Sequence, residues 1–109
     1  MSEDRTNLYR KLALALPATE EKSHFGKADF RVGNKIFAGF TAGGFGHVKL
    51  CPEQQDMLCA AEPEILSPVK GGWGRQGWTR VDHFRADEAL LKSVLLMAWK
   101  NVAPKTLQT

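Results

Sequence analysis

The sequence predicts an α+β domain in which helices cover one face of an antiparallel sheet. Three observations lead there. Apolar residues recur at helical spacing near both ends, as Leu8, Leu12 and Ala15 and again as Leu91, Val94, Leu95, Ala98 and Val102. Between Ala28 and Leu50 apolar and polar residues alternate with the period of two expected of half-covered strands. Gly33-Asn34 and Gly43-Gly44-Phe45-Gly46 interrupt that alternation as tight turns, so consecutive strands should pair antiparallel.

Taken in order, the opening helix has Glu3 and Asp4 in its first turn and Pro17 just beyond its end. Ala28, Phe30 and Val32 then share one side of a strand. Lys35 to Ala42 forms a second, with Ile36, Ala38, Phe40 and Ala42 on one face and Phe37 on the other. In a third strand Val48 and Leu50 point inward, His47 and Lys49 outward. Pro52 suits a first helical position, which needs no amide donor, and the helix from Pro52 to Glu62 carries Met57, Leu58 and Ala61 on its apolar face. Ile65 to Val69 reads as a short edge strand and Gly77 to Phe84 as a further strand, in which Trp78 and Phe84 share a parity that Val81 does not. The closing helix runs from about Ala86 to Asn101, with Asp87 and Glu88 at its start, Lys100 in its last turn and Pro104 beyond. The expected order is α-β-β-β-α-β-β-α, three helices on one sheet face. Arg31, Lys35, Lys49 and Phe37 fall on the other.

A chain of 109 residues is near the usual size for one domain, and residues 1–109 are read as one. The 43% hydrophobic and 25% charged residues are ordinary for globular proteins, which excludes disorder. The longest apolar stretch, Val94 to Trp99, is far below the roughly 20 residues that span a bilayer, so no membrane partner is expected. The N-terminal residues lack the basic start and apolar run of a secretory signal. The cytoplasm is the expected compartment, with Cys51 and Cys59 as reduced thiols.

Four phrases extend over nearly the whole chain: ALPATEEKSHFGKADFRVGNKIFAGF, VKLCPEQQ, GGWGRQGWTRV and LLMAWKNVAPK. In this order they resemble the MmcQ/YjbR-like family. The resemblance implies a two-layer α/β fold in the order α-β-β-β-α-β-β-α, matching the order read from periodicity. For function it implies two analogies: a "double-wing" comparison suggests DNA binding, and a likeness to type III secretion chaperones suggests capture of partner segments. It supplies no catalytic residues.

The motifs that could carry chemistry are few. Gly72-Trp73-Gly74-Arg75-Gln76-Gly77 matches the G-x-G-x-x-G pattern of dinucleotide-binding turns, but strand-like WTRVDHF follows instead of a helix, so a flexible hairpin tip is the better reading. The Gly43 to Gly46 turn lacks the lysine and hydroxyl of a phosphate-binding loop. His24, His47 and His83 have no metal-ligand spacing with each other or with the cysteines, and no cofactor or metal is expected. Cys59 falls on an apolar helix side, where a thiol is inert, and Cys51 is a mild nucleophile candidate at a helix start.

Charge distribution says more than the net formal charge of +3. Residues 22 to 50 hold Lys22, Lys27, Arg31, Lys35 and Lys49 against Asp29 alone. The following helix is acidic, with Glu53, Asp56, Glu62 and Glu64. Residues 67 to 81 return to Lys70, Arg75 and Arg80, among which stand Trp73 and Trp78. Cations interleaved with aromatics suit a phosphate backbone, and a solvated sheet face is the bland alternative. The sequence therefore favours a non-enzymatic DNA-binding module. Its contacts would come from the basic strand residues Lys27, Arg31, Lys35, Lys49 and Arg80 and from a hairpin bearing Lys70, Trp73 and Arg75. Two alternatives stand beside it: a protein-binding or homodimerising module using an exposed sheet surface that bears Phe37 and Trp73, and a small-molecule binder or enzyme with a pocket near His24, Lys27 and Trp78.

Overall fold

The computed structural model describes residues 2–24, 27–41 and 43–108, apart from the side chains of Ser2, Glu3 and His24. The elements are α1 (Ser2–Leu14), β1 (Glu20–His24), β2 (Lys27–Val32), β3 (Lys35–Phe40), β4 (Gly46–Lys49), α2 (Pro52–Ala61), β5 (Leu66–Pro68), α3 (Gly72–Arg75), β6 (Trp78–Val81) and α4 (Glu88–Val102), followed by a 3-10 turn at Lys105–Leu107. The strands form one sheet in the order β1-β2-β3-β4-β6-β5, and every neighbouring pair is antiparallel. Tyr9 and Ala13 of α1 and Leu91, Val94, Leu95, Ala98 and Trp99 of α4 close over Phe30, Val48 and Val81 on one sheet face. The fold is α+β with its helices on one side, as the sequence predicts.

Two elements were not legible. β1, Glu-Glu-Lys-Ser-His, has no apolar alternation because it is an edge strand, held by its pairing with β2 from Glu20↔Arg31 to His24↔Lys27. Its charges discourage pairing with another chain. The other edge, β5, is only three residues long and ends at Pro68, which offers no amide, so both edges are blunted. The second unforeseen element is α3, a single helical turn where a flexible tip was expected.

The predicted faces of β3 need correction. Between Phe30 and Arg31 the register with β3 shifts, so that Arg31 opposes Ile36 but Phe30 opposes Ala38. Phe37 is the extra residue of a bulge, which lets it and Ala38 both enter the core. Phe37 is fully buried, so the exposed Phe37 of a protein-binding surface does not exist. Ile36 moves to the opposite face. Ala42, expected at the end of this strand, lies outside the described residues.

Elsewhere the turn chemistry matches. Gly33 and Asn34 both have positive φ, 58° and 65°, the geometry of a two-residue hairpin whose twist fits the strands. β6 stops at Val81, and Phe84 belongs to the following turn, where Asp82 Oδ1 accepts from the Phe84 amide. That removes the parity conflict: Thr79 and Val81 face the helices, Trp78 and Arg80 the other side. α4 begins at Glu88, with Asp87 as its cap accepting from the Leu90 amide at 2.8 Å. Among the described residues no helix is long and apolar enough to cross a membrane.

Candidate binding trough on the open sheet face

On the face away from α1 and α4, the register aligns Asp29, Gly39, His47, Arg80 and Ser67 in one row across five strands. Along the middle of this face runs a trough of about 620 Å³, bounded by Lys27 and Asp29 of β2 on one side and by Val69, Trp73 and Trp78 on the other. Ile36 and His47 line it between those walls. Wall to wall, β2 to β6 is three strand spacings, about 14 Å.

Gly39 opens the floor. A Cβ there would stand 2.9 Å from His47 Nε2 and 3.3 Å from the Ala28 carbonyl oxygen. The His47 ring therefore lies down over the glycine and meets the Trp78 ring, centroids 4.8 Å apart. Burial pushes the His47 imidazole down to about 4, helped by Lys27 and opposed by Asp29, so it is neutral at pH 7. The floor thus offers uncharged aromatic surface.

Trp73 forms the wall. It is 63% exposed and stands edge to face with Trp78, centroids 6.1 Å apart at 67°. The turn that carries it is fixed to the body of the protein. Gln55 Nε2 donates from α2 to the Gly74 carbonyl at 2.9 Å, and also reaches the Trp78 carbonyl and Thr79 Oγ1. A Cβ on Gly74 would lie 1.9 Å from the Val69 carbonyl oxygen, and one on Gly77, at φ 107°, would lie 1.8 Å from that of Leu50. Two glycines of the G-x-G-x-x-G pattern therefore serve close packing of the protein's own backbone, not approach to a pyrophosphate.

The predicted site residues divide into three groups. Lys27 and Trp73 line the trough, and Lys49 stands beside it, its Nζ donating to the Gln76 carbonyl at 2.7 Å and lying 5.8 Å from the Trp78 ring centroid. Lys70 and Arg75 flank Trp73 in sequence, are exposed, and make no ion pair among the described residues. The others are engaged or displaced. Arg31 gives both arms of its guanidinium to Asp29, at 2.8 and 3.1 Å. Arg80 lies 4.3 Å over the Phe45 ring, and Lys35 stands at the exposed start of β3 opposite core-facing Val32. Of the proposed His24, Lys27 and Trp78 pocket, Lys27 and Trp78 do share the trough, and the His24 side chain lies outside the described residues.

Gly39, Ile36 and Val69 were not singled out from the sequence. A glycine inside a strand is a signal of close approach, and Gly39 between Ala38 and Phe40 was that signal. Ile36 and Val69 needed the bulge and the sheet order. His83, by contrast, is fully buried and structural: the Gly46 amide donates to its Nδ1 at 3.2 Å, and its Nε2 lies 3.0 Å from Thr6 Oγ1. The Cys59 thiol is pushed up by burial and by Asp56, in keeping with an inert residue. Among the described residues no three histidine, cysteine or acidic side chains gather to hold a metal.

The model of the YjbR family matches residues 14–101. The chain belongs to the YjbR family. A solved Deinococcus radiodurans protein, described as carrying the DUF419 domain, has the same fold: the TM-score is 0.73 at 21% identity, over 89% of this chain and 77% of that one. No curated protein matches the chain. The trough of this YjbR-family chain lies within the matched residues, since its lining runs from Lys27 to Trp78.

Proposed function

We propose that this YjbR-family protein is a non-enzymatic nucleic-acid-binding module and that the open sheet face is its contact surface. The observation that carries this reading is the position of Trp73, an exposed indole held on a fixed turn at the wall of a trough with Lys27 and Lys49 at its sides and Lys70 and Arg75 close by in sequence. An aromatic platform between cations is the arrangement that binds bases and phosphates together. Lys49 is held in place before any ligand arrives, so little side-chain freedom is lost on contact. The catalytic alternative has less support: of the polar side chains lining the trough, Asp29 is held by Arg31, Thr41 Oγ1 accepts from the Phe45 amide and the His47 ring packs against Trp78.

The test is binding of labelled oligonucleotides at about 50 and 200 mM salt. Three or four phosphate contacts weaken duplex binding roughly 40- to 150-fold over that range. Lys70→Glu with Arg75→Glu should abolish most of that slope without altering thermal stability, because both side chains are exposed. Absence of binding at the lower salt, or an unchanged slope in the double variant, overturns the assignment of this surface.

A further inference from the structure

We infer that the trough receives one unpaired nucleobase, which makes a single strand rather than a duplex the ligand; the inference rests on the nucleic-acid reading above. Three features of the trough converge on it.

The first is chemistry. A surface built only for phosphates would be polar and charged throughout, as the outer rim is. The trough instead has Ile36, His47, Val69 and Trp78 along its inside, with the imidazole uncharged at neutral pH. Such a surface suits a flat, neutral heteroaromatic ring.

The second is shape. With no side chain at Gly39 the His47 ring can lie down against the sheet, where a Cβ would collide with it, and this keeps the floor low. The walls stand on strands about 14 Å apart, three strand spacings, a span that matches one base and its sugar laid across the strands. A volume of about 620 Å³ is likewise of the size that encloses a small planar ligand.

The third is presentation. Trp73 stands at 67° to Trp78 and is 63% exposed, so most of its indole remains open to a ligand. A base within a duplex is stacked on both sides and paired on its edge, and cannot offer a face to an indole without leaving the helix. An unpaired base can lie against Trp73 while its flanking phosphates reach Lys27 on β2 and Lys49 on β4.

The experiment compares four probes on the intact protein: a labelled ten-nucleotide thymidine strand, a duplex of equal length, thymidine monophosphate and inorganic polyphosphate. Binding is read by anisotropy or competition, and tryptophan fluorescence reports stacking. The expected result is a single strand that binds at least tenfold more tightly than the duplex and quenches fluorescence. Trp73→Ala should weaken the strand roughly five- to 150-fold, the range for one stacked base, while leaving weak duplex or polyphosphate binding unchanged. Because Trp73 is exposed, this variant folds, which a thermal melt checks. Equal affinity for strand and duplex, or equal effects of Trp73→Ala on both, overturns the base slot and leaves the nucleic-acid reading standing. Polyphosphate competing as well as the strand without quenching does the same. Thymidine monophosphate binding as tightly as the strand and quenching supports the slot but overturns the nucleic-acid reading, and failure of all four probes overturns both.

Discussion

Gly39 and His47 face each other directly across β3 and β4, and the imidazole occupies the space a side chain at position 39 would fill, 2.9 Å from where its Cβ would stand. The pair decides whether the trough exists. Gly39→Ala pushes the ring away from the sheet, and the Ala28 carbonyl, 3.3 Å from the new methyl, must also give by a few tenths of an ångström. Overpacking of this kind costs about 1–3 kcal/mol. The expected outcome is a lower denaturant midpoint together with a larger loss of oligonucleotide affinity than Lys27→Ala causes. A variant as stable and as tight-binding as the wild type would show that His47 rearranges freely and that the floor is not fixed.

Acid should loosen the molecule through two imidazoles, the half-buried His47 and the fully buried His83. His47 is pushed down to about 4 by burial, with Asp29 opposing and Lys27 assisting. His83 is lowered too, by burial first, against the opposing effects of Asp82 and its own hydrogen bonding and with Arg5 assisting. Unfolded, both take up a proton near 6.5, so between there and about 4 the unfolded state binds more protons and stability falls as pH falls. For His47 alone the loss from pH 7 to 5 is roughly 1–2 kcal/mol. The urea midpoint should therefore decline through this window, and His47→Gln should flatten the decline. A midpoint constant from pH 7 to 5 would contradict the burial of both rings.

The parts of this fold written in local pattern were legible, and those decided by pairing were not. The helical stripe of α4 and the alternation around Phe30 and Val48 report directly on which side faces the core. Phe37 and Ile36 exchange faces because of one extra residue in β3, and nothing within Lys35–Phe40 distinguishes a bulged strand from a regular one. Glu20–His24 becomes a strand only because β2 offers it a partner. The same limit applied to the site. Lys27, Lys49 and Trp73 were visible as a cation-aromatic interleaving, whereas the engagement of Arg31 by Asp29, two residues away on the same strand face, was missed because its sign was counted but its neighbour was not.

The glycine pattern at 72–77 makes a prediction that separates packing from ligand approach. Gly74→Ala and Gly77→Ala each drive a methyl into a backbone carbonyl, at 1.9 and 1.8 Å, and Gly77 also needs its φ of 107°. Each should cost about 3 kcal/mol or more and reduce soluble yield. Gly72→Ala meets nothing nearer than the Arg75 guanidinium at 3.7 Å and sits in a helical turn, so it should be neutral or stabilising by up to about 1 kcal/mol. Equal tolerance at all three positions would mean that this turn is not packed as described.

Gln55 is the tie that makes Trp73 a fixed wall, and its chemistry can be inverted. Its amide nitrogen donates toward three acceptors, the carbonyls of Gly74 and Trp78 and the Thr79 hydroxyl, all in a buried setting. Removing the donor in Gln55→Ala should cost about 2 kcal/mol, since the Gly74 and Trp78 carbonyls keep their bonds from the Gly77 and Val69 amides. Gln55→Glu is more informative. A carboxylate facing three oxygens can bind only as the neutral acid, which raises its folded-state pKa above the unfolded value of about 4.3. The folded variant then holds a proton that the unfolded chain releases, so its stability is greatest below that value and declines as pH rises through the raised pKa. Relative to wild type, the variant should therefore recover as pH falls from 7 to 5, over the window in which the wild type itself weakens. A difference between the two urea midpoints that stays constant across that range would show that the side chain turns outward and that α2 does not anchor the turn carrying Trp73.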